Sequence, residues 1–213
     1  MTLAESWDGT GWQPQSTPNA TGAAADELLG VSCPTTSSCT AVGYSSDGSE
    51  VSLAESWDGT SWSLEPEPST ASNSILLAVS CPTTAACTAV GFDNYVPIAS
   101  VWSDSSWTTA TAAIPIGAAV SRLLGVSCLS ASQCVAVGDW FDKAGNEAPL
   151  AETWSGTAWA TEGIFSPSGV TQSDLAGISC TPATSACTAA GSGYEAGTVK
   201  TLVEQQATQA VTG

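Results

Sequence analysis

The hydrophobic pattern of this chain is a succession of short apolar runs, each bounded by turn residues. Leu28–Cys33 is apolar and predicts a strand; Pro34–Ser38 is a tight polar loop; Cys39–Tyr44 predicts a second strand. Ser45–Val51 is polar and carries Asp47-Gly48, a turn signal. Leu53–Trp57 predicts a third strand, Asp58-Gly59 a tight hairpin turn, and Ser61–Leu64 a fourth strand. Glu65-Pro66-Glu67-Pro68 then opens a connector.

Two blocks of this pattern recur. L-A-E-S-W-D-G-T-S-W (Leu53–Trp62) is nearly repeated at Leu3–Trp12, with weaker copies at Ile98–Trp107 and Leu150–Trp159 and a degenerate one at Leu202–Val211. L-L-G-V-S-C-P-T-T-S-S-C-T-A-V-G (Leu28–Gly43) lies between them. The first cysteine of each such block stands at 33, 81, 128 and 180, so the unit recurs every 47 to 52 residues. Four short strands per unit of this length, with Trp and Gly at fixed places, predict an all-β chain: a β-propeller of four-stranded antiparallel blades. The expected division is a single repeat domain over 1–213, with a half-blade at 1–14 and blades at 28–64, 76–110, 123–162 and 175–212. About four and a half blades are expected to make an incomplete ring: a piece of a larger ring first of all, or else two chains combining as a homodimer, or a spare hairpin packed at an edge.

Composition narrows the partners. Three basic residues face twenty acids and the formal charge is −17, which disfavours nucleic acid and anionic membranes. The eight cysteines fall in close pairs across the first hairpin of each unit: Cys33 with Cys39, Cys81 with Cys87, Cys128 with Cys134, Cys180 with Cys187. They predict a disulfide framework and a secreted or extracellular protein. Closing a seven-residue ring stabilises a hairpin by roughly 2.4 kcal/mol in the chain-entropy model. The chain has no histidine. No metal or cofactor is expected. No signal peptide or membrane span is read, so an export signal is expected elsewhere.

The motifs Leu28–Tyr44 and Leu53–Trp62 resemble the kelch-like and galactose-oxidase-like propeller superfamily, and more closely the tandem-repeat propellers of secreted actinobacterial proteins. The resemblance implies a fold and no settled activity; the double glycine of kelch is absent, and copper chemistry of the galactose-oxidase kind needs histidines. W-D-G-T-x-W also resembles the Asp-box of sialidases, which implies a structural turn. Sialidase chemistry needs an arginine cluster, and this chain has one arginine, Arg122.

Eight tryptophans pair five residues apart around the hairpin turns and are read as packing residues. The ninth, Trp140, breaks the repeat within Gly138-Asp139-Trp140-Phe141-Asp142-Lys143, read as the loop between second and third strands. That loop shares a face with the connectors between blades, where the repeats differ. Its equivalents are Tyr44 with Asp47, Phe92 with Asp93 and Tyr95, and Tyr194 with Glu195. An aromatic beside a carboxylate once per blade suits a carbohydrate, so the candidate binding residues are Tyr44, Asp47, Asp93, Tyr95, Trp140, Asp142, Tyr194 and Glu195. The alternative is aromatics folded back on their own blades. No catalytic residue is assigned.

The expectation is a non-enzymatic binding or scaffold module, carbohydrate-binding through its inter-strand loops, with a glycan or protein partner. A glycoside hydrolase fragment using paired carboxylates 5 to 10 Å apart is one alternative. A purely structural cell-surface repeat is the other. Asn19-Ala20-Thr21 matches a glycosylation sequon and is read as loop.

Overall fold

The computed structural model describes residues 2–66, 73–103, 105–164 and 168–206. Among them are seventeen strands in five antiparallel sheets, and no helix. β1 (Ala4–Trp7) and β2 (Trp12–Gln15) form a separate hairpin. The first blade is β3 (Ala25–Thr35), β4 (Ser38–Ser46), β5 (Glu50–Trp57) and β6 (Trp62–Leu64). The second is β7 (Ser74–Thr83), β8 (Ala86–Asp93), β9 (Val96–Ser103) and β10 (Ser106–Thr111). The third is β11 (Ala118–Ser130), β12 (Gln133–Asp142), β13 (Glu147–Trp154) and β14 (Trp159–Thr161). The fourth shows three strands, β15 (Val170–Thr181), β16 (Ala186–Glu195) and β17 (Thr198–Gln206). Within each sheet, neighbours in sequence are neighbours in space. These blade-like sheets fit an incomplete propeller.

Turn chemistry sets the outer hairpins. Asp58 Oδ1 accepts from the Thr60 amide (2.8 Å), the Thr60 hydroxyl (2.7 Å) and the Ser61 amide (2.9 Å), while Gly59 supplies φ +96°. Asp8 caps the first copy the same way. These contacts hold the carboxyls of Asp8 and Asp58 down to about 2. The four disulfides join first to second strands as the spacing predicts, each with Cα atoms 4.0 Å apart.

Apolar clusters fill the three seams between blades. Val42 and Ala54 of the first blade pack with Leu76, Val79, Ala89 and Trp107 of the second. Val90 and Ala99 of the second pack with Leu123, Val126, Leu150 and Trp159 of the third. Val137 and Ala151 of the third pack with Leu175, Ala189 and Leu202 of the fourth. One hydrogen bond recurs at every seam: the first cysteine's amide donates to the serine preceding that cysteine one blade earlier. The pairs are Cys81 to Ser32 (3.0 Å), Cys128 to Ser80 (2.9 Å) and Cys180 to Ser127 (3.0 Å).

The tryptophan pairs behave as packing residues, with ring centroids 5.5 to 5.9 Å apart. The second member reaches back to the preceding sheet: Trp107 and Trp159 are buried in the clusters above, and Trp62 Nε1 donates to Gln15 Oε1 (2.8 Å).

Several boundaries differ from expectation. The first strands run longer at both ends, because backbone pairing continues past the apolar run. Gly138–Asp142 is strand rather than loop, and the turn follows at Lys143–Asn146. The degenerate copy at Leu202–Val211 contributes to β17 only as far as Gln206; the fourth strand expected near Val211 lies outside the described residues, as do Glu67 and Pro68.

Candidate binding site

The repeat places a glycine in the middle of each second strand, at 43, 91, 138 and 191. A Cβ on Gly138 would overlap the Arg122 carbonyl oxygen; Gly43, Gly91 and Gly191 meet Glu27, Ile75 and Asp174 in the same way. The glycine lets the first strand cross closely, and the ladder shifts register there, between Leu123 and Gly125 in the third blade.

The residue after this glycine forms a cross-strand rung with the first strand. The four rungs are Glu27–Tyr44, Ile75–Phe92, Arg122–Asp139 and Asp174–Ser192. Side chains alternate along a strand, so Tyr44, Phe92 and Asp139 share the faces of Val42, Val90 and Val137, which pack on the next blade. The first three rungs therefore sit where a blade meets its successor, at the connector end. Around each rung the repeat holds Leu, Gly and Val nearly constant, yet the rung itself is polar, apolar, ionic and hydroxylic in turn.

The third rung carries the richest chemistry. Arg122 Nε donates to Asp139 Oδ1 (2.9 Å) and Nη2 to Oδ2 (2.5 Å), a bidentate fork. Asp139 is buried at 2% exposure, while the arginine keeps 34% of its side chain in solvent. The guanidinium carbon lies 5.6 Å from the Phe141 ring centroid. Glu147, the ladder partner of Phe141, is on the same face. Burial pushes its carboxyl upward, Asp139 and Asp174 reinforce this, and Arg122 opposes it. In the fourth blade, on the face turned away from Leu175 and the third blade, Asp174 Oδ1 accepts from the Ser192 hydroxyl (2.5 Å) and amide (3.2 Å). Arg122 is raised by Asp139 first, with Glu147 and Asp174 adding to it and burial opposing it. Two residues further along β12, Val137 begins a cavity of about 310 Å³ in the same seam, lined also by Ile164, Leu175, Ile178 and Glu204.

The residues singled out from sequence do not converge. Trp140 points to the opposite face of β12 and packs, partly buried, against the seam with the second blade; it is an aromatic folded back on the core, not a loop platform. Asp142 caps its own turn, accepting from the Ala144 amide (2.7 Å), the Asn146 amide (3.0 Å) and Asn146 Nδ2 (2.8 Å), which holds its carboxyl low. Tyr44 is a rung residue, half-buried, its hydroxyl raised by burial and by Glu27. Asp47 is exposed in a turn. Asp93 accepts from Asn94 Nδ2 (2.7 Å), and Tyr95 is exposed with φ +70°. Tyr194 is exposed and Glu195 ends β16. They are strung one blade at a time along the connector face. Sequence reasoning missed Arg122, Asp139, Phe141, Glu147 and Asp174 as a group. Their signal was the lone arginine of the chain, placed just ahead of the repeated Leu-Leu-Gly.

No family model matches the chain, and no curated protein matches it. Solved structures do. One is the fungal lectin of Aleuria aurantia, described as a six-bladed β-propeller with a fucose recognition mode: 14% identity over 93% of this chain and 68% of that one, TM-score 0.54. Another is YCF48 bound to D1 peptide, with 15% identity over 97% of this chain and 60% of that one, TM-score 0.53. A complex of the Aleuria lectin with Fucα1-6GlcNAc aligns at 11% identity over 95% and 70%, TM-score 0.51. The fold is a β-propeller. At these identities the likeness is one of fold, and the kelch-like resemblance goes no further than that. The propeller spans roughly two thirds of the lectin's length and less of YCF48's.

Proposed function

We propose that this chain is an extracellular, non-enzymatic propeller module that binds a neutral glycan at the seam between third and fourth blades. The observation carrying the reading is the Arg122–Asp139 rung, with Phe141 and Glu147 beside it on the same face and Asp174 of the fourth blade within electrostatic reach. A sugar offers vicinal hydroxyls to charged donors and acceptors and an apolar C–H face to an aromatic ring, and this group supplies all three. The fucose-binding lectin shares the fold. The −17 charge disfavours acidic glycans, and the four disulfides suit an oxidising compartment. Hydrolysis is the weaker reading, because both oxygens of Asp139 are held by Arg122 and Asp174 is held by Ser192. The test is a glycan array of neutral and sialylated oligosaccharides, fucosides included, probed with wild type, Phe141→Ala and Glu147→Gln. The reading expects neutral ligands, with binding reduced at least about tenfold in each variant. Ligands bound equally by all three proteins, or no ligand at all, would overturn it.

A further inference from the structure

The hairpin β1–β2 corresponds to the third and fourth strands of a blade, and beside it lies a cleft of about 660 Å³. Its walls are Leu3, Trp7 and Trp12 on one side and Leu29, Val31 and Cys33 on the other. The repeat says what this place holds elsewhere. Val31 is 63% exposed, whereas Val79 and Val126 at the same repeat position are each 8% exposed. Those two valines are covered by the preceding blade, Val79 by Val42 and Ala54, Val126 by Val90 and Ala99. Cys33 lines the cleft, while Cys81, Cys128 and Cys180 each donate to a serine of the blade before.

We propose that this cleft is an acceptor site for a disulfide-stapled β-hairpin of the chain's own repeat type. The incoming hairpin supplies first and second strands to β1–β2, covers Val31 with a second-strand valine and gives the Cys33 amide its serine. The recognition is β-augmentation, continuous with the three seams already described. It rests on observations separate from the glycan site and stands or falls apart from it.

The test uses the full chain and an oxidised synthetic peptide copying residues 25–46, which form β3 and β4. Tryptophan emission is followed during titration, with a scrambled oxidised peptide as control and Val31→Asp as the site variant. Val31 is exposed, so that variant is expected to fold, which far-ultraviolet circular dichroism verifies. The proposal expects saturable binding with a blue shift as Trp7 leaves water, weakened at least about tenfold by Val31→Asp. No saturable shift, or a shift unchanged by Val31→Asp, overturns it. A protein that is dimeric by light scattering and becomes monomeric through Val31→Asp also overturns it, because the occupant is then a second copy.

Discussion

Arg122 grips Asp139 across the β11–β12 ladder through two hydrogen bonds, at a repeat position whose chemistry changes in every blade. A buried carboxylate stripped of its partner is costly, while an apolar pair of similar size in its place is not. Arg122→Ala is therefore expected to destabilise the protein by about 3 kcal/mol. The double variant Arg122→Ile with Asp139→Phe transplants the rung of the second blade, Ile75–Phe92, and should recover most of that loss. Urea unfolding measures both; a single-variant cost near zero contradicts the account.

Two buried glutamates set a pH dependence. Glu55 and Glu152 are fully buried, and burial pushes each carboxyl up to about 7, with Asp26 adding to the effect at Glu55 and Thr2 opposing it. At Glu152 the Ala113 amide, 2.9 Å from Oε2, opposes the shift. The folded state therefore binds more protons than the unfolded chain between the ordinary value of 4.5 and about 7. Stability is highest from these groups below that window and falls as pH climbs through it, by on the order of 1–3 kcal/mol for Glu152. Asp8 and Asp58 act oppositely, their contribution being lost as pH falls from 3.8 toward about 2. Thermal unfolding should peak near pH 4 to 5, and Glu152→Gln should flatten the decline above it. A melting temperature that rises steadily from pH 5 to 8 contradicts this.

The glycine of the second strand is a steric requirement. Gly138→Ala forces a methyl onto the Arg122 carbonyl and is expected to cost more than about 3 kcal/mol. Gly163→Ala meets open space at ordinary φ and should change stability by less than about 0.5 kcal/mol. Chemical denaturation separates the two.

All eight cysteines are paired. Thiol titration under denaturing, non-reducing conditions should find no free thiol, and a value near eight per chain contradicts the extracellular reading.

What was legible in the sequence was local. Asp58-Gly59 names its own turn, because the carboxylate and the left-handed glycine act within four residues. The cysteine spacing names the first hairpin for the same reason. The third rung was not legible, because Arg122 and Asp139 meet across seventeen residues of chain and through a register shift. Gly138 misled for a physical reason: a glycine after an apolar run reads as the end of a strand, whereas here it lies mid-strand to admit a crossing backbone. That displaced Trp140 onto a loop it does not occupy and hid Asp139 beside it. Pairing each glycine-following residue with the residue before Leu-Leu-Gly, or before its variants Leu76-Leu77-Ala78 and Leu175-Ala176-Gly177, would have recovered all four rungs.

The most direct test is a crystal structure of the chain soaked with the strongest neutral saccharide from the array. The account predicts sugar density in the seam between third and fourth blades, with hydroxyls on Arg122 and Glu147 and a C–H face on Phe141. Saccharide bound elsewhere on the connector face, with this seam unchanged, would contradict it.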